Sequence, residues 1–517
     1  MTWREEVEDI RRRRDLALGM GGEERVARQH EQGRLTIRER IDGLVDAGSF
    51  LEIGQLVGHA TYDDGALRSF VPSPYVAGLA TIDGRDVVVA GEDFTVRGGS
   101  GSGPNGRNKR DMAFAMAKEY RIPLVQFLDG AGASIQTMER LGRSYLPNSK
   151  DWSDPLELMG QVPMIGGIMG AVAGGIAAYA LLTHWTCMVR GAELFAAGPT
   201  IVKRALGTEV TKQDLGGTGV HVHVSGIADN EAVDEPDCFE QIATFLSYLP
   251  QNVWELPPYV EPDDWPDRRE EELLTIIPRE SRRGYDMRRL IELVMDQGSI
   301  FEVKPYFGRC IITALARLNG HVVGVVANDP LYQAGAVDAA GADKTTHFME
   351  LCDTFHIPVV HFVDVPGFMI GPEAEAAGTL RAGMRTLWLA HQITVPSITV
   401  HVRRCFGMAG CATSTPAHLG LRLGWPSGEW GSLPIAGGVE TAYRRMIAES
   451  ADPERARREL ETRLNLMRSV FPIAESFGVE DLIDPRDTRL LLIRYLEVAI
   501  PRMAHDLGPK PRYGVRP

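Results

Sequence analysis

Val162-Pro-Met-Ile-Gly-Gly-Ile-Met-Gly-Ala-Val-Ala-Gly-Gly-Ile-Ala-Ala-Tyr179 decides how the rest of the chain is read. Residues 162–165 have the composition of a short buried strand, opened by Pro163. Residues 166–170 read as a loop that only small side chains could pack closely. Gly174-Gly175 then opens a second apolar segment of helical character. A glycine pair between strand and helix leaves main-chain N–H groups bare and lets a ligand come close to them. Two such groups at the positive end of a helix can hold a developing oxyanion.

Residues 162–182 are also an uncharged run of 21 residues, long enough to span a bilayer, with Gly166, Gly170 and Gly174 at the spacing of packed membrane helices. A counterpart downstream decides against that. Val395-Pro-Ser-Ile-Thr-Val-His-Val-Arg-Arg-Cys-Phe-Gly-Met-Ala-Gly-Cys411 aligns at an offset of 233 residues, with Val395-Pro396 on Val162-Pro163 and Gly407 on Gly174. Arg403 and Arg404 in that copy would not sit in hydrocarbon. A soluble protein with a buried, duplicated element fits both copies.

The duplication runs through the chain. Asp46-Ala-Gly-Ser-Phe-Leu-Glu-Ile53 echoes Asp296-Gln-Gly-Ser-Ile-Phe-Glu-Val303. Ile82-Asp-Gly-Arg-Asp-Val-Val-Val-Ala90 echoes Leu318-Asn-Gly-His-Val-Val-Gly-Val-Val326. Arg121-Ile-Pro-Leu-Val-Gln-Phe-Leu-Asp129 echoes His356-Ile-Pro-Val-Val-His-Phe-Val-Asp364. Two copies are too few for a solenoid, so the echoes mean two homologous domains. Their strand–loop–helix order indicates α/β architecture. Residues 250–282 carry Pro250, Pro257, Pro258, Pro262, Pro266 and Pro278 among charges and read as the linker.

A length of 517 residues lets each half bury a full core. A net charge of −14 argues against general nucleic-acid binding, which needs a basic field. Six scattered cysteines (Cys187, Cys238, Cys310, Cys352, Cys405, Cys411), with no C-x-x-C pair, read as free thiols in a reducing cytosol. Residues 1–30 are charged throughout, so no signal peptide is expected; residues 3–30 read as one charged helix. The Asp83-Gly84 pair predicts a hairpin between strands at residues 76–82 and 86–91. Asp93-Phe-Thr-Val-Arg-Gly-Gly-Ser-Gly-Ser-Gly-Pro104 is glycine-rich but ends in no Gly-Lys-Ser/Thr, so it is not a Walker loop. Helices are expected at residues 105–120, 348–355 and 449–467.

No G-x-S-x-G, H-E-x-x-H or metal-spaced Cys/His cluster occurs, and no metal is expected. His221 and His223 would face one side of a strand; without a third ligand, hydrogen-bonding roles are favoured over a metal. Asp129 and Asp364 end matching strands, where capping of the following loop is favoured over general-base work. Main-chain donors remain. Each half carries one glycine turn after a Val-Pro strand, which points to two carbonyls to be polarised.

Asp93-Phe-Thr-Val-Arg-Gly-Gly-Ser, Gly198-Pro-Thr-Ile-Val-Lys, Asp214-Leu-Gly-Gly and Val363-Asp-Val-Pro-Gly-Phe resemble the carboxyltransferase β subunits of biotin-dependent acyl-CoA carboxylases. Propionyl-CoA and methylcrotonyl-CoA carboxylases and the large transcarboxylase subunit belong to that family. The resemblance runs from Gln29-His30 to Asp484-Pro-Arg-Asp-Thr488. It implies two tandem crotonase-like domains: residues 1–258 on the acyl-CoA side and residues 259–517 on the biotin side. It implies carboxyl transfer from carboxybiotin, held on a separate carrier protein, to the α (or vinylogous γ) carbon of a coenzyme A thioester. Biotin could then take the α-proton, which explains the missing side-chain base.

Partners implied are a biotin carboxylase and a biotin carboxyl carrier subunit, with a cytoplasmic homo-hexamer built as a trimer of dimers. Neither nucleic acid nor membrane is implied. Gly174 and Gly175 match the family's first oxyanion turn; Gly407, Met408 and Ala409 match the second. Ala131, Gly132, Ala133, Gly371 and Cys411 fall where substrate or cofactor is bound. Phe406-Gly407-Met408 and Phe368-Met-Ile-Gly371 lean toward the methylcrotonyl type. Cys411 and Met408 favour a hydrophobic acyl chain, with Cys411 expected to be buried. The first-half loop, Asp129-Gly-Ala-Gly-Ala-Ser134, departs from the usual Asp-Ser-Gly-Gly-Ala-Arg, and no Ala-Met-Lys-Met attachment signal is present. The alternative reading is a biotin-independent crotonase-like acyl-CoA decarboxylase or hydrolase.

Overall fold

The β-branched runs that repeat along the sequence become the inner strands of two sheets with one topology. The computed structural model describes all residues except 1, 101–107, 133–134, 136–137, 140–141, 145, 147–151, 281, 415–418, 466, 468 and 511–517. The first half holds β1 (Leu51–Glu52), β2 (Gly58–Asp63), β3 (Ala66–Pro72), β4 (Tyr75–Ile82), β5 (Arg85–Glu92), β6 (Leu124–Gly130), β7 (Met164–Ala173), β8 (Trp185–Val189), β9 (Glu193–Phe195) and β10 (Asn230–Ala232). The second holds β11 (Phe301–Val303), β12 (Ile311–Leu318), β13 (His321–Asn328), β14 (Val359–Val365), β15 (Ser397–Phe406), β16 (Leu421–Gly424), β17 (Glu429–Gly431) and β18 (Asp481–Leu482).

Among the described residues the first sheet runs β1-β4-β5-β6-β7-β8-β10, with β9 also on β7. The second runs β11-β12-β13-β14-β15-β16-β18, with β17 also on β15. Each begins with antiparallel pairs and turns parallel at its third strand. The equivalence holds to the residue. Gln126 lies opposite Gly166 as His361 lies opposite Thr399. Each central pair then slips register at an aspartate, between Leu128 and Gly130 and between Val363 and Val365. The two Val-Pro segments therefore lead into equivalent strands, as the in-register repeat requires, and the duplicated crotonase-like fold stands. The β2–β3 hairpin belongs to the first half alone.

Local readings fare unevenly. The Asp83-Gly84 hairpin joins β4 and β5 as expected. Residues 166–170 are not a loop but the middle of β7. Their glycines make room for neighbours: a Cβ on Gly170 would enter the Asp129 carboxylate, and one on Gly167 would crowd Met169 and Phe127. Residues 3–30 form two helices, Arg4–Leu18 and Glu23–Glu31, broken where Gly22 takes φ 94°. The helix expected from residue 348 starts earlier, at Ala339–Thr354, because the Asp338 carboxylate accepts the Gly341 N–H at 2.7 Å and caps it. No helix among the described residues is long and apolar enough to cross a membrane. The uncharged run instead divides between β7 and helix Gly175–Leu181.

The chain forms two compact units, Leu256–Leu507 and the residues up to Glu255 together with those from Gly508. Much of the proline-rich stretch at residues 256–282 is therefore packed against the second unit rather than strung as a linker. Leu273 is in its core, and Arg268 donates to the Leu293 and Met295 carbonyls at 2.9 and 2.8 Å.

Candidate active site

β7 ends at Ala173 and helix Gly175–Leu181 begins two residues later. Gly174 joins them at φ 63°, ψ −131°, a backbone state that a side chain would strain. No side chain caps this helix, and the Gly175 N–H meets no acceptor among the described residues. A Cβ added at Gly175 would meet nothing within 4 Å, so there is room for a ligand atom beside that donor. Gly132 lies against the same turn. Gly132 takes φ 76°, and a Cβ there would collide with the Ala173 carbonyl. The Ala131 N–H donates to Gly98 O at 2.9 Å. Ala133 lies outside the described residues.

β15 ends at Phe406, and helix Gly407–Cys411 follows directly. Gly407 takes φ 61°, as Gly174 does at the same repeat position. This helix too has no side-chain cap, and Met408 and Ala409 N–H meet no acceptor among the described residues. Ala409 is buried, while Met408 is 49% exposed. Cys411 is exposed, not buried as expected, because this helix is only five residues long and leaves its last turn uncovered. Gly371, at φ 109°, starts helix Pro372–Ala376 with open space where a Cβ would be. Each turn thus presents bare donors on a rigid strand end, the arrangement that suits a developing oxyanion.

The two aspartates do not cap loops. Asp129 is fully buried and paired with Arg40, Nη1 to Oδ2 3.0 Å, while Arg40 also grips Glu235 at 2.7 and 2.9 Å. Asp364 is fully buried and paired with Arg403 at 2.8 Å and Arg404 at 2.6 Å. A buried carboxylate needs such a partner; both Asp364 oxygens are held by arginine, while Asp129 is held through Oδ2. The neutralising cation reaches Asp129 from helix Ile37–Leu44, but reaches Asp364 from the neighbouring strand β15. Position 403 is the repeat equivalent of Gly170, whose missing side chain admits Asp129.

Two features escaped the sequence reading. Arg97–Gly99 and Gln333–Gly335 form matching short turns, and a Cβ on Gly99 or Gly335 would come within 2.6 Å of the carbonyl of Asp129 or Asp364 respectively. The signal was present: Gly335 follows Gly99 at nearly the repeat offset. Beside the first turn, Arg110 lies 4.3 Å over the Tyr179 ring and 4.7 Å over Tyr75, paired with buried Glu92. Trp152 stacks on Tyr179 at 4.8 Å. Burial pushes the Glu92 carboxyl up, while the Arg110 guanidinium counters it. These residues are far apart in sequence, and no local pattern marks them. His221 sits in a short helix, not a strand; it contacts Leu194 O at 2.6 Å, and His223 contacts Glu231 at 3.0 Å. The hydrogen-bonding reading holds, and no metal-binding cluster occurs among the described residues.

The chain matches the carboxyl transferase domain family over residues 28–510. It is 37% identical over 507 residues to the propionyl-CoA carboxylase carboxyltransferase subunit of Haloferax mediterranei, covering 96% of both chains. It is 35% identical to the methylmalonyl-CoA decarboxylase subunit alpha of Veillonella parvula, again over 96% of both. Its fold matches the transcarboxylase 12S crystal structure, a hexamer with methylmalonyl-coenzyme A and methylmalonic acid bound, at a TM-score of 0.86 and 33% identity over 97% of each chain. With two equivalent glycine turns at the ends of equivalent strands, this chain belongs to the carboxyl transferase domain family and is an acyl-CoA carboxyltransferase of the biotin-dependent type.

Proposed function

We propose that this carboxyltransferase works by seating one carbonyl oxygen on each glycine turn. The observation that carries the reading is the repeat in register: Gly174-Gly175 and Gly407-Met408-Ala409 follow equivalent strands, and although the Gly174 N–H donates to Phe195 O at 3.3 Å, the Gly175, Met408 and Ala409 N–H groups meet no acceptor among the described residues. The first half (residues 1–258) faces the acyl-CoA and the second half (259–517) faces the biotin. Biotin, borne by a separate carrier, brings the carboxyl group when bound. The Gly175 N–H receives the thioester oxygen as the α (or vinylogous γ) carbon becomes nucleophilic. Met408 and Ala409 N–H receive the other carbonyl. These donors are fixed by the sheet before the reaction, so they need not reorganise as charge develops. Ala131 and Gly132 shape the acyl-CoA side, Gly371 and Cys411 the opposite one.

The partners are a biotin carboxylase and a biotin carboxyl carrier subunit. The assembly is a homo-hexamer, a trimer of dimers, and the hexameric transcarboxylase relative supports it. Six unpaired cysteines fit a cytoplasmic setting. The test is reconstitution with a biotinylated carrier and a biotin carboxylase, followed by an acyl-CoA panel. Carboxylation should require the carrier and collapse in Gly175→Val. A second reading is decarboxylation or hydrolysis without biotin; the similarity to a decarboxylase subunit bears on the decarboxylation alone. Turnover of an acyl-CoA with no carrier present would select that reading and overturn the first.

A further inference from the structure

The helix that carries the first turn, Gly175–Leu181, has no side-chain cap and is too short to persist by propensity alone. Tyr179 is its anchor. In the helix the Tyr179 N–H bonds back to the Gly175 carbonyl, so this residue stands one turn beyond the bare Gly175 donor. Arg110 Cζ lies 4.3 Å over its ring, Phe114 of the same helix as Arg110 (Lys109–Tyr120) packs at 5.7 Å, and Trp152 stacks at 4.8 Å. Arg110 is fixed in its turn. Its guanidinium pairs with Glu92 Oε1, on a side chain that is 1% exposed. Glu92 Oε2 accepts the Asp129 N–H at 3.3 Å, at the register shift that ends β6.

The second half shows what the fold alone requires. Asn328 stands where the repeat places Glu92, and its Oδ1 accepts the Asp364 N–H at 3.2 Å. Its Nδ2 donates to Gly335 O, also at 3.2 Å. Thr345, at the repeat position of Arg110, turns back on its own helix and donates to Gly341 O at 2.8 Å. An amide therefore serves the shifted strand without any charge. A carboxylate and a guanidinium in that place must both be desolvated, which a neutral group avoids. The first half bears that desolvation and gains a cation over Tyr179.

We propose that Arg110 is a positioning residue for the first turn: held by Glu92, it grips Tyr179 and fixes the short helix so that the Gly175 N–H is aimed at the thioester oxygen. The inference rests on the reading of that N–H as an oxyanion donor. Cation and ring attract across a partly desolvated contact, and the charge-assisted bond to the carboxylate keeps the guanidinium from swinging away. A misplacement of about 1 Å at a reacting group can cost about a hundredfold in rate. The grip therefore acts on kcat rather than on the affinity for substrate.

The test is a double-mutant comparison in the reconstituted carboxylation assay, with a melting curve of each preparation. Arg110→Met and Tyr179→Leu should each lower kcat about ten- to a hundredfold and leave KM in place. Arg110→Lys keeps a cation for Glu92 and for the ring, without the planar fork, and should recover part of the loss. In a Gly175→Val background neither Arg110→Met nor Tyr179→Leu should lower the rate further, because the donor they aim is already blocked. A residue that only supports the fold would lower the melting temperature and add its own loss to that of Gly175→Val. Tyr179→Leu leaves Arg110 paired with Glu92, which keeps the idea testable if Arg110→Met fails to fold. Wild-type kcat in either variant, a change confined to KM, or losses that multiply with that of Gly175→Val would each overturn it. Multiplying losses beside an impaired Gly175→Val sink the role of Arg110 and leave the turn standing. A Gly175→Val enzyme with wild-type kcat/KM sinks the turn itself, and this inference with it.

Discussion

Gly175→Val isolates the first turn from the fold that holds it. A Cβ at Gly175 meets nothing within 4 Å and its φ is not positive, so the first side-chain atom adds neither a clash nor backbone strain. The neighbouring Gly174 is the conformationally demanding position, at φ 63° and ψ −131°, and it stays untouched. The new isopropyl group occupies the space beside the bare N–H, where the oxyanion would sit. One lost oxyanion donor is worth about 2–4 kcal/mol of transition-state stabilisation, or roughly 30- to 900-fold in kcat/KM. The melting temperature should move little. The assay is transfer from a carboxylated carrier to the acyl-CoA, read with a melting curve of the same preparation. Gly175→Ala should fall in between. A Gly175→Val protein that folds and keeps wild-type kcat/KM refutes the turn as an oxyanion site.

Three further outcomes follow from the buried groups. Arg40→Met leaves Asp129 and Glu235 buried without their cation and should cost about 3–5 kcal/mol, roughly 6–20 °C in the calorimetric transition of the first half at 2–4 °C per kcal/mol; a shift below 2–3 °C would show that solvent reaches the site. Lys344 donates to Lys304 O, Phe307 O and Ile311 O at 2.7, 3.1 and 2.7 Å, and burial pushes its pKa down from 10.5 to about 8. The folded state thus binds this proton less tightly than the unfolded chain does; the penalty is full below pH 8 and is relieved as pH rises toward 10.5. The urea midpoint deficit of Lys344→Met relative to wild type should therefore widen across that window, and a constant or narrowing deficit contradicts the sign. Cys411 is exposed while Cys187, Cys238, Cys310 and Cys352 are buried, so iodoacetamide should label Cys411 first by peptide mass mapping, and acyl-CoA should slow the labelling if the thiol lines the site.

The architecture was legible because duplication writes itself twice. Val-Pro at 162 and 395, Ile-Pro at 122 and 357, and Asp-Gly or Asn-Gly turns at 83 and 319 place strand ends in each half at nearly one offset. Those motifs reach the right strands and both turns. Glycine misled where its reason was not local. Residues 166–170 read as a loop because three glycines in five weaken a strand signal; in the fold they are strand, thinned so that the Asp129 carboxylate and the Phe127 and Met169 side chains fit against it. The ion pairs behind both turns were unreadable for a related reason. Arg40 and Asp129 are 89 residues apart, and nothing in either neighbourhood names the other. The lean of Phe406-Gly407-Met408 toward the methylcrotonyl type sits beside relatives that bear propionyl and methylmalonyl names.

The duplicated bulge gives the two turns equivalent settings from unequal sequences. At each site a strand must end, shift register and hand over to a helix within a few residues, and the aspartate at the shift is what the neighbouring groups fasten to. In the second half the fastening runs through β15 itself: Arg403 and Arg404 lie in the strand that carries Gly407, so the ion pair and the turn share one rigid segment. In the first half β7 has surrendered its side chains to glycine, and the same carboxylate is held across the unit by Arg40 and by Gln29 at 3.3 Å. Either solution holds the strand end with its ion pair on the strand side of the donors. That is the condition the Gly175, Met408 and Ala409 N–H groups would need to act on a carbonyl: a fixed position, no competing acceptor among the described residues, and a charge balance settled behind them.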